Sequence, residues 1–234
     1  MSFRGWEEEQ RVRVLAIDTA LAACSVAVLD TKIDEILGAE TVLMERGHAE
    51  ALMPLVEAVL GGHSGLASID RIVVSTGPGS FTGIRVGLAA VRGLTLVTKI
   101  PVIGITTLVA LAAPVLAHGD GRAVGAAIDA RHGRVFFQIF APNGQGLVPA
   151  RVLLAKDASR MAGEGAIRLV GSGAQLVAAA SHAKHEIVSG EQVPDPVWLA
   201  RLGAAAPLPD RLPRPVYLRP ADAKPQTAGR VERI

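Results

Sequence analysis

The sequence predicts an α/β protein in which one βββαβα unit is used twice. Apolar runs of strand length alternate with amphipathic runs of helix length through the first half of the chain. The strand end Ala16-Ile17-Asp18-Thr19 returns as Ala127-Ile128-Asp129-Ala130, and each copy is followed by a strand-like run. Hydrophobic residues make up 50% of the chain but aromatic ones only 3%, so the core is one of Val, Leu, Ile and Ala. Such a chain, 234 residues long, is large enough to bury a sizeable core.

In order, Val12 to Thr19 reads as a buried strand, Ala23 to Asp30 as a second and Ile33 to Leu43 as a third. Gly47 to Leu60 carries Leu52, Leu55, Val56 and Val59 at helical spacing. Pro54 lies inside it and predicts a late start or a bend. Asp70 to Ser75 is a strand, Ile84 to Lys99 a helix and Pro101 to Ile105 a strand. The window Ile100 to Ala117 is the most apolar but short for a membrane span, and is read as a strand followed by a buried helix.

The second unit opens at Ala127. Arg134 to Phe140 and Val148 to Leu154 are its next strands, and a helix begins near Lys156. Ile167 to Val170 then runs into Gly171-Ser172-Gly173 and another helix. Two such units side by side make the actin-like, sugar-kinase-like (ASKHA) architecture, with a cleft between lobes. The expected lobes are residues 1–106 and 107–234, the second ending in a Pro-rich tail. Pro207, Pro209, Pro213, Pro215 and Pro220 exclude a helix there, and Pro215 to Pro220 is expected to be one short ordered segment. Ala221 to Ile234, with Lys224, Arg230 and Arg233, is expected to be a mobile, solvated tail. The segment before Arg11 suggests no role.

Composition narrows the function classes. The N-terminus carries three consecutive Glu and no apolar core of a signal peptide. Together with a single cysteine this predicts a cytoplasmic protein without a disulfide framework or a Cys-rich zinc site. Cys24 sits in an alternating strand run and reads as a core thiol. The net charge is +2, with excess acid before His118 and excess base after it, too mild a polarity to argue nucleic-acid binding. Few aromatics also speak against single-strand stacking platforms.

The most specific segment is Ser75-Thr76-Gly77-Pro78-Gly79-Ser80-Phe81-Thr82-Gly83-Ile84-Arg85, between a strand and a helix. Its glycines and proline predict an unusual backbone path. Ser80 and Thr82 are placed to accept from the free N–H groups of the helix start, which could also hold an anion. The turn lacks the Lys of a Walker A loop, and Gly77, Gly79 and Gly83 are one residue too widely spaced for a dinucleotide fingerprint. Two readings stand here: a tight turn packing a helix on a sheet, or a phosphate or partner site.

Taken together, Ala16-Ile17-Asp18-Thr19-Ala20, Cys24-Ser25-Val26-Ala27, Gly77 to Gly87, Ala127-Ile128-Asp129-Ala130-Arg131 and Val216-Tyr217-Leu218-Arg219 resemble the TsaB (also called YeaZ) family, in order over nearly the whole chain. The resemblance implies a non-catalytic scaffold in the biosynthesis of N6-threonylcarbamoyladenosine, beside the anticodon of tRNA. It implies pairing with TsaD, which transfers the threonylcarbamoyl group, then with the ATPase TsaE through that pair, and a homodimer when alone. It implies no direct tRNA contact and no membrane. No cofactor is expected in the isolated chain; the resemblance leaves ATP or ADP open for the assembled complex, and the sequence does not place a nucleotide there.

Against the related TsaD proteins, His48 matches the first histidine of their metal-binding H-x-x-x-H pair, but Leu52 stands at the second. One imidazole does not hold a divalent ion without partners, so no metal site and no peptidase chemistry is expected. Asp18 is followed by Thr19-Ala20 rather than by the glycine of sugar kinases. Asp18 and Asp129 are read as strand-end residues fixing turns, with a water-mediated magnesium pair as the alternative. His63, His118, His132, His182 and His185 show no ligand spacing. No catalytic residue is expected. The docking face is placed on the two helices of the first lobe, with Leu52, Met53, Arg85, Leu88 and Arg92 as candidates. The turn residues Gly77, Gly79, Ser80, Thr82 and Gly83 are structural or anion-binding. The competing reading is an ATP-binding phosphotransferase or ATPase of the actin-like class.

Overall fold

A computed structural model describes residues 12–62, 65–188 and 192–219. The expectations for the segment before Arg11, for His63 and for Ala221 to Ile234 lie outside the described residues.

The first unit runs β1 (Arg13–Asp18), β2 (Ala23–Asp30), β3 (Glu35–Leu43), α1 (His48–Leu60), β4 (Arg71–Ser75), α2 (Phe81–Thr98), β5 (Val102–Ile105) and α3 (Thr107–Ala117). The second runs β6 (Val124–Asp129), β7 (Arg134–Phe140), β8 (Gly146–Leu154), α4 (Ala155–Ala162), β9 (Arg168–Val170), α5 (Ala174–Ala179), β10 (Glu186–Ile187) and α6 (Pro196–Ala205). Their sheets have the orders β3-β2-β1-β4-β5 and β8-β7-β6-β9-β10, the same topology twice. In each, two antiparallel pairs lead into parallel strands. This is the actin-like duplication.

Both faces of the first sheet are covered, which is why β1, β2 and β4 read as near-continuous apolar runs. On one face, Leu52, Leu55 and Val56 of α1 and Ile84, Leu88 and Val91 of α2 pack on Leu15, Ile17, Val26 and Val74. On the other, Leu199, Ala200 and Leu202 of α6 pack on Val14, Ala16 and Val73. The second sheet takes α4 and α5 outside and α3 inside, where Leu108, Leu111 and Val115 meet Val124, Ala126 and Ile128. The last helix of each unit thus covers the sheet of the other. Gly203 of α6 has no room for a Cβ against Val73, so this crossing is close.

α6 and the two-residue β10 are not legible in the apolar periodicity. The α6 signal is nevertheless present: Asp195 caps the helix by accepting from Val197 N–H at 2.8 Å, and Pro196 occupies the first position. Arg71, 4% exposed, donates to the carbonyls of Ala204 (2.8 Å) and Ala206 (3.1 Å) at its C-terminal end. Pro54 neither delays nor ends α1, which runs unbroken from His48. Pro54 and Glu50 share the exposed face, where the Glu50 carbonyl that loses its donor is open to water. α2 begins at Phe81, earlier than periodicity alone gives, because Ser80 caps it. β3 begins at Glu35, after a turn in which Asp34 has φ 49°. Cys24 is fully buried, and burial followed by the nearby Asp18 pushes its thiol up to about 11.

Candidate functional site

A cavity of about 510 Å³ lies between the two sheets' strand ends. The β1–β2 turn contributes Leu21 and Ala22, and the start of α2 contributes Gly79, Ser80 and Phe81. Asp129, Ala130 and Arg131 come from the β6–β7 turn, Ser172 from the β9–α5 turn, and Val216 to Arg219 from the segment after α6. Each unit therefore presents the same two turns, and the Pro-rich segment runs between them.

The Gly77–Gly83 turn is built for close packing. Gly77 takes φ 97°, which favours glycine. A Cβ on Gly79 would land on the Ala20 carbonyl oxygen, and one on Gly83 would land on that of Thr19. The turn's polar groups are also engaged. Ser80 N–H donates to the Ala20 carbonyl at 2.7 Å, Gly83 N–H to Ser80 Oγ at 3.2 Å, and Thr107 N–H to the Gly77 carbonyl at 2.9 Å. Thr19 Oγ1 donates to the Gly83 carbonyl at 2.8 Å. The glycines hold the β1–β2 turn against the start of α2: Thr19 and Ala20 stand on the side of Gly83 and Gly79 where a side chain would lie. Ser80 caps α2 as expected, whereas Thr82 is an exposed residue of the first turn.

Asp18 is 2% exposed and does not line the cavity. Its Oδ1 accepts from Ser75 Oγ and from Ala20 N–H, the latter at 2.8 Å. Burial raises its pKa above the ordinary carboxylate value against the lowering effect of those two bonds. Asp129 is exposed; its Oδ1 accepts from Arg131 N–H at 2.7 Å, and its own N–H donates to Ser172 Oγ at 3.1 Å. Both aspartates fix their turns, and only Asp129 reaches the cavity. Among the described residues, no group of three or more His, Cys, Asp or Glu is placed to hold a metal. His48 is buried at the first position of α1, its Nε2 3.0 Å from the Leu21 carbonyl.

The docking candidates divide. Leu52 and Leu88 are 1% and 3% exposed, inside the core under α1 and α2; the apolar stripe that marks these helices is the stripe their own sheet buries, so neither residue meets a partner there. Met53, Arg85 and Arg92 lie on the outer faces. They are joined there by Leu96 and Val97, the most exposed large apolar residues of α2. A methyl group at Gly93 would meet nothing within 4 Å, whereas Gly87 packs on Thr19 and Val74. Small residues thus serve both the inner and the outer face of α2.

Sequence reasoning missed how the arginines are held. The Arg85 guanidinium stacks 3.6 Å from the Phe81 ring centre, and its Nε donates to the Tyr217 hydroxyl at 3.1 Å. Phe81 and Tyr217 are 4.8 Å apart. Arg92 donates to the Pro213 carbonyl at 3.4 Å. The clue in the sequence was the lone tyrosine, placed in the one ordered stretch expected of the tail.

Residues 29–164, more than half of the chain, match the family described as "TsaD: tRNA N6-adenosine threonylcarbamoyltransferase". The tRNA threonylcarbamoyladenosine biosynthesis protein TsaB of Escherichia coli is 36% identical over 137 residues, 58% of either chain. That of Haemophilus influenzae is 38% identical over 133 residues, 55% of this chain and 53% of its own length. The matched region spans little more than half the length of these curated relatives. The structure of YeaZ from Pseudomonas aeruginosa superposes with a TM-score of 0.71 at 27% identity, over 83% of this chain and 90% of that one. The family match, these relatives and the superposition agree: the chain belongs to the TsaD-related family of tRNA threonylcarbamoyladenosine biosynthesis proteins, on its TsaB (YeaZ) branch.

Proposed function

We propose that the chain is a non-catalytic scaffold that docks TsaD through the outer faces of α1 and α2. The complex so formed transfers the threonylcarbamoyl group to the adenosine next to the anticodon of tRNA in the cytoplasm. One observation carries the reading: the glycines of the Gly77–Gly83 turn serve close packing against the backbone of Thr19 and Ala20. The helix leaving that turn meanwhile offers an outer face of small, apolar and arginine residues. Arg85, Arg92 and Met53 are the contacts assigned to TsaD. TsaE joins through the pair, and tRNA is reached through TsaD.

The same face pairs two copies of this chain when TsaD is absent, so homodimer and heterodimer exclude one another. A nucleotide belongs to the assembled complex rather than to the cleft of the isolated chain. Against the phosphotransferase reading, Asp18 is buried and does not reach the cavity.

Light scattering on size-exclusion fractions tests this. The chain alone is expected to run as a dimer and to convert to a heterodimer with TsaD of the same organism at micromolar concentration, about −8 kcal/mol of binding free energy. Arg92→Glu is expected to weaken that docking about tenfold or more. A monomer that ignores TsaD, and whose melting point rises with ATP, would overturn the scaffold reading.

A further inference from the structure

The chain beyond α6 crosses from the first lobe to the second, and it is fastened at both ends. On the first lobe, Pro213 occupies the space left by the absent side chain of Gly104, and its carbonyl accepts from Arg92 at 3.4 Å. Val216 N–H donates to the Thr76 carbonyl at 2.8 Å, continuing the hydrogen bonding beyond β4. Tyr217 meets Phe81 and Arg85 at the start of α2. On the second lobe, Leu218 packs on the core around Phe136 and Ile128, and Arg219 donates to the Ala130 carbonyl at 2.9 Å. Ala130 precedes Arg131 and His132, both in the left-handed region at φ 64° and 54°. Two such residues in succession persist only where the surroundings hold them, and the Arg219 bond is one of the holds.

A segment anchored on both sides of a gap resists relative rotation of the sides. Here the same short stretch, Val216 to Arg219, lines the cavity and touches α2. We propose that Pro213–Arg219 is an interlobe latch that couples the cleft to the α2 face. While it is closed, Arg85 and Arg92 are held against the strap in fixed positions. When the second-lobe anchor is lost, the cleft widens, and Tyr217 releases Arg85. The consequence for docking rests on the scaffold reading above, but the latch itself does not.

Amide hydrogen exchange on the isolated full chain tests the latch. Arg219→Ala removes the hydrogen-bonded part of the second-lobe anchor, leaving the Leu218 packing, without touching α2. Exchange is expected to rise about tenfold in the strap, in the β6–β7 turn and in the first two turns of α2. Arg219→Lys, which keeps a donor, is expected to restore most of the protection. A rise confined to residues 217–219, with α2 unchanged, overturns the latch. Should Arg219→Ala fail to fold, Tyr217→Phe reads the same coupling from the other end: unchanged exchange in the β6–β7 turn overturns it. A variant that opens as expected yet docks TsaD with unchanged affinity overturns the coupling to docking. A wild-type chain that meets no partner overturns the scaffold reading, and the exchange result still decides the latch.

Discussion

At the end of β1, Asp18 is sealed beneath Ser75 and the Ala20 N–H; at the end of β6, its counterpart Asp129 stands exposed at the edge of the cavity. After β4 the chain enters an eighteen-residue helix, α2, whereas after β9 it enters α5 with only six. α1 buries Leu52, Leu55, Val56, Val59 and Leu60, whereas α4 buries only Ala158 and Ser159. One topology has thus been finished in two ways. The first copy buries its polar turn and carries a long, deeply packed helix pair with an exposed outer face. The second keeps an open turn over short helices. Duplication fixes where turns and helices fall, while side-chain volume decides which of them is core and which is surface.

The largest way to break this contrast is at the glycine turn. Gly83→Ala drives a Cβ into the Thr19 carbonyl, a backbone atom that cannot swing aside. The expected loss is about 4 kcal/mol in urea unfolding, or a chain that fails to fold. A wild-type-like unfolding curve would mean that the two turns are not locked together.

The helix layers come next. Leu52→Ala is expected to cost about 3 kcal/mol, because Leu52 is 1% exposed against Leu15 and its neighbours. Met161→Ala, on the equivalent second-lobe helix, is expected to cost about 1 kcal/mol, because Met161 only partly packs on its sheet. Equal losses in thermal or denaturant melts would remove the difference in depth between the lobes.

The smallest effect is the pH dependence of Asp18. Burial raises its pKa in the folded chain, so the unfolded chain loses its proton first as pH rises above the ordinary value of 3.8. Folding therefore becomes less favourable through that window and levels off once the folded carboxyl has also ionised. Asn at this position keeps an oxygen to accept from both Ala20 N–H and Ser75 Oγ–H, but no charge. Asp18→Asn is expected to melt close to wild type in acid and above it at neutral pH. A gap that stays constant with pH would show that the buried carboxyl is not the titrating group. Asp129→Asn, at an exposed site, supplies the comparison.

The sequence by itself determined the duplicated α/β topology, because the period of apolar residues and the strand-end Asp repeats are local features of the chain. It also determined that the Gly77–Gly83 turn is special, since glycines and a proline so close together impose an unusual path whatever surrounds them. It did not reveal which side of α1 and α2 holds the core: Leu52 and Leu88 form the same stripe whether a partner or the protein's own sheet covers it. Only the tertiary structure decided that. It also showed what the glycines pack against: Thr19 and Ala20, more than fifty residues upstream, stand where the side chains of Gly83 and Gly79 would lie. The exchange of α3 and α6 between the sheets and the strap joining Arg85 to Ala130 were likewise invisible. Contacts between residues so far apart in sequence leave no local period to read.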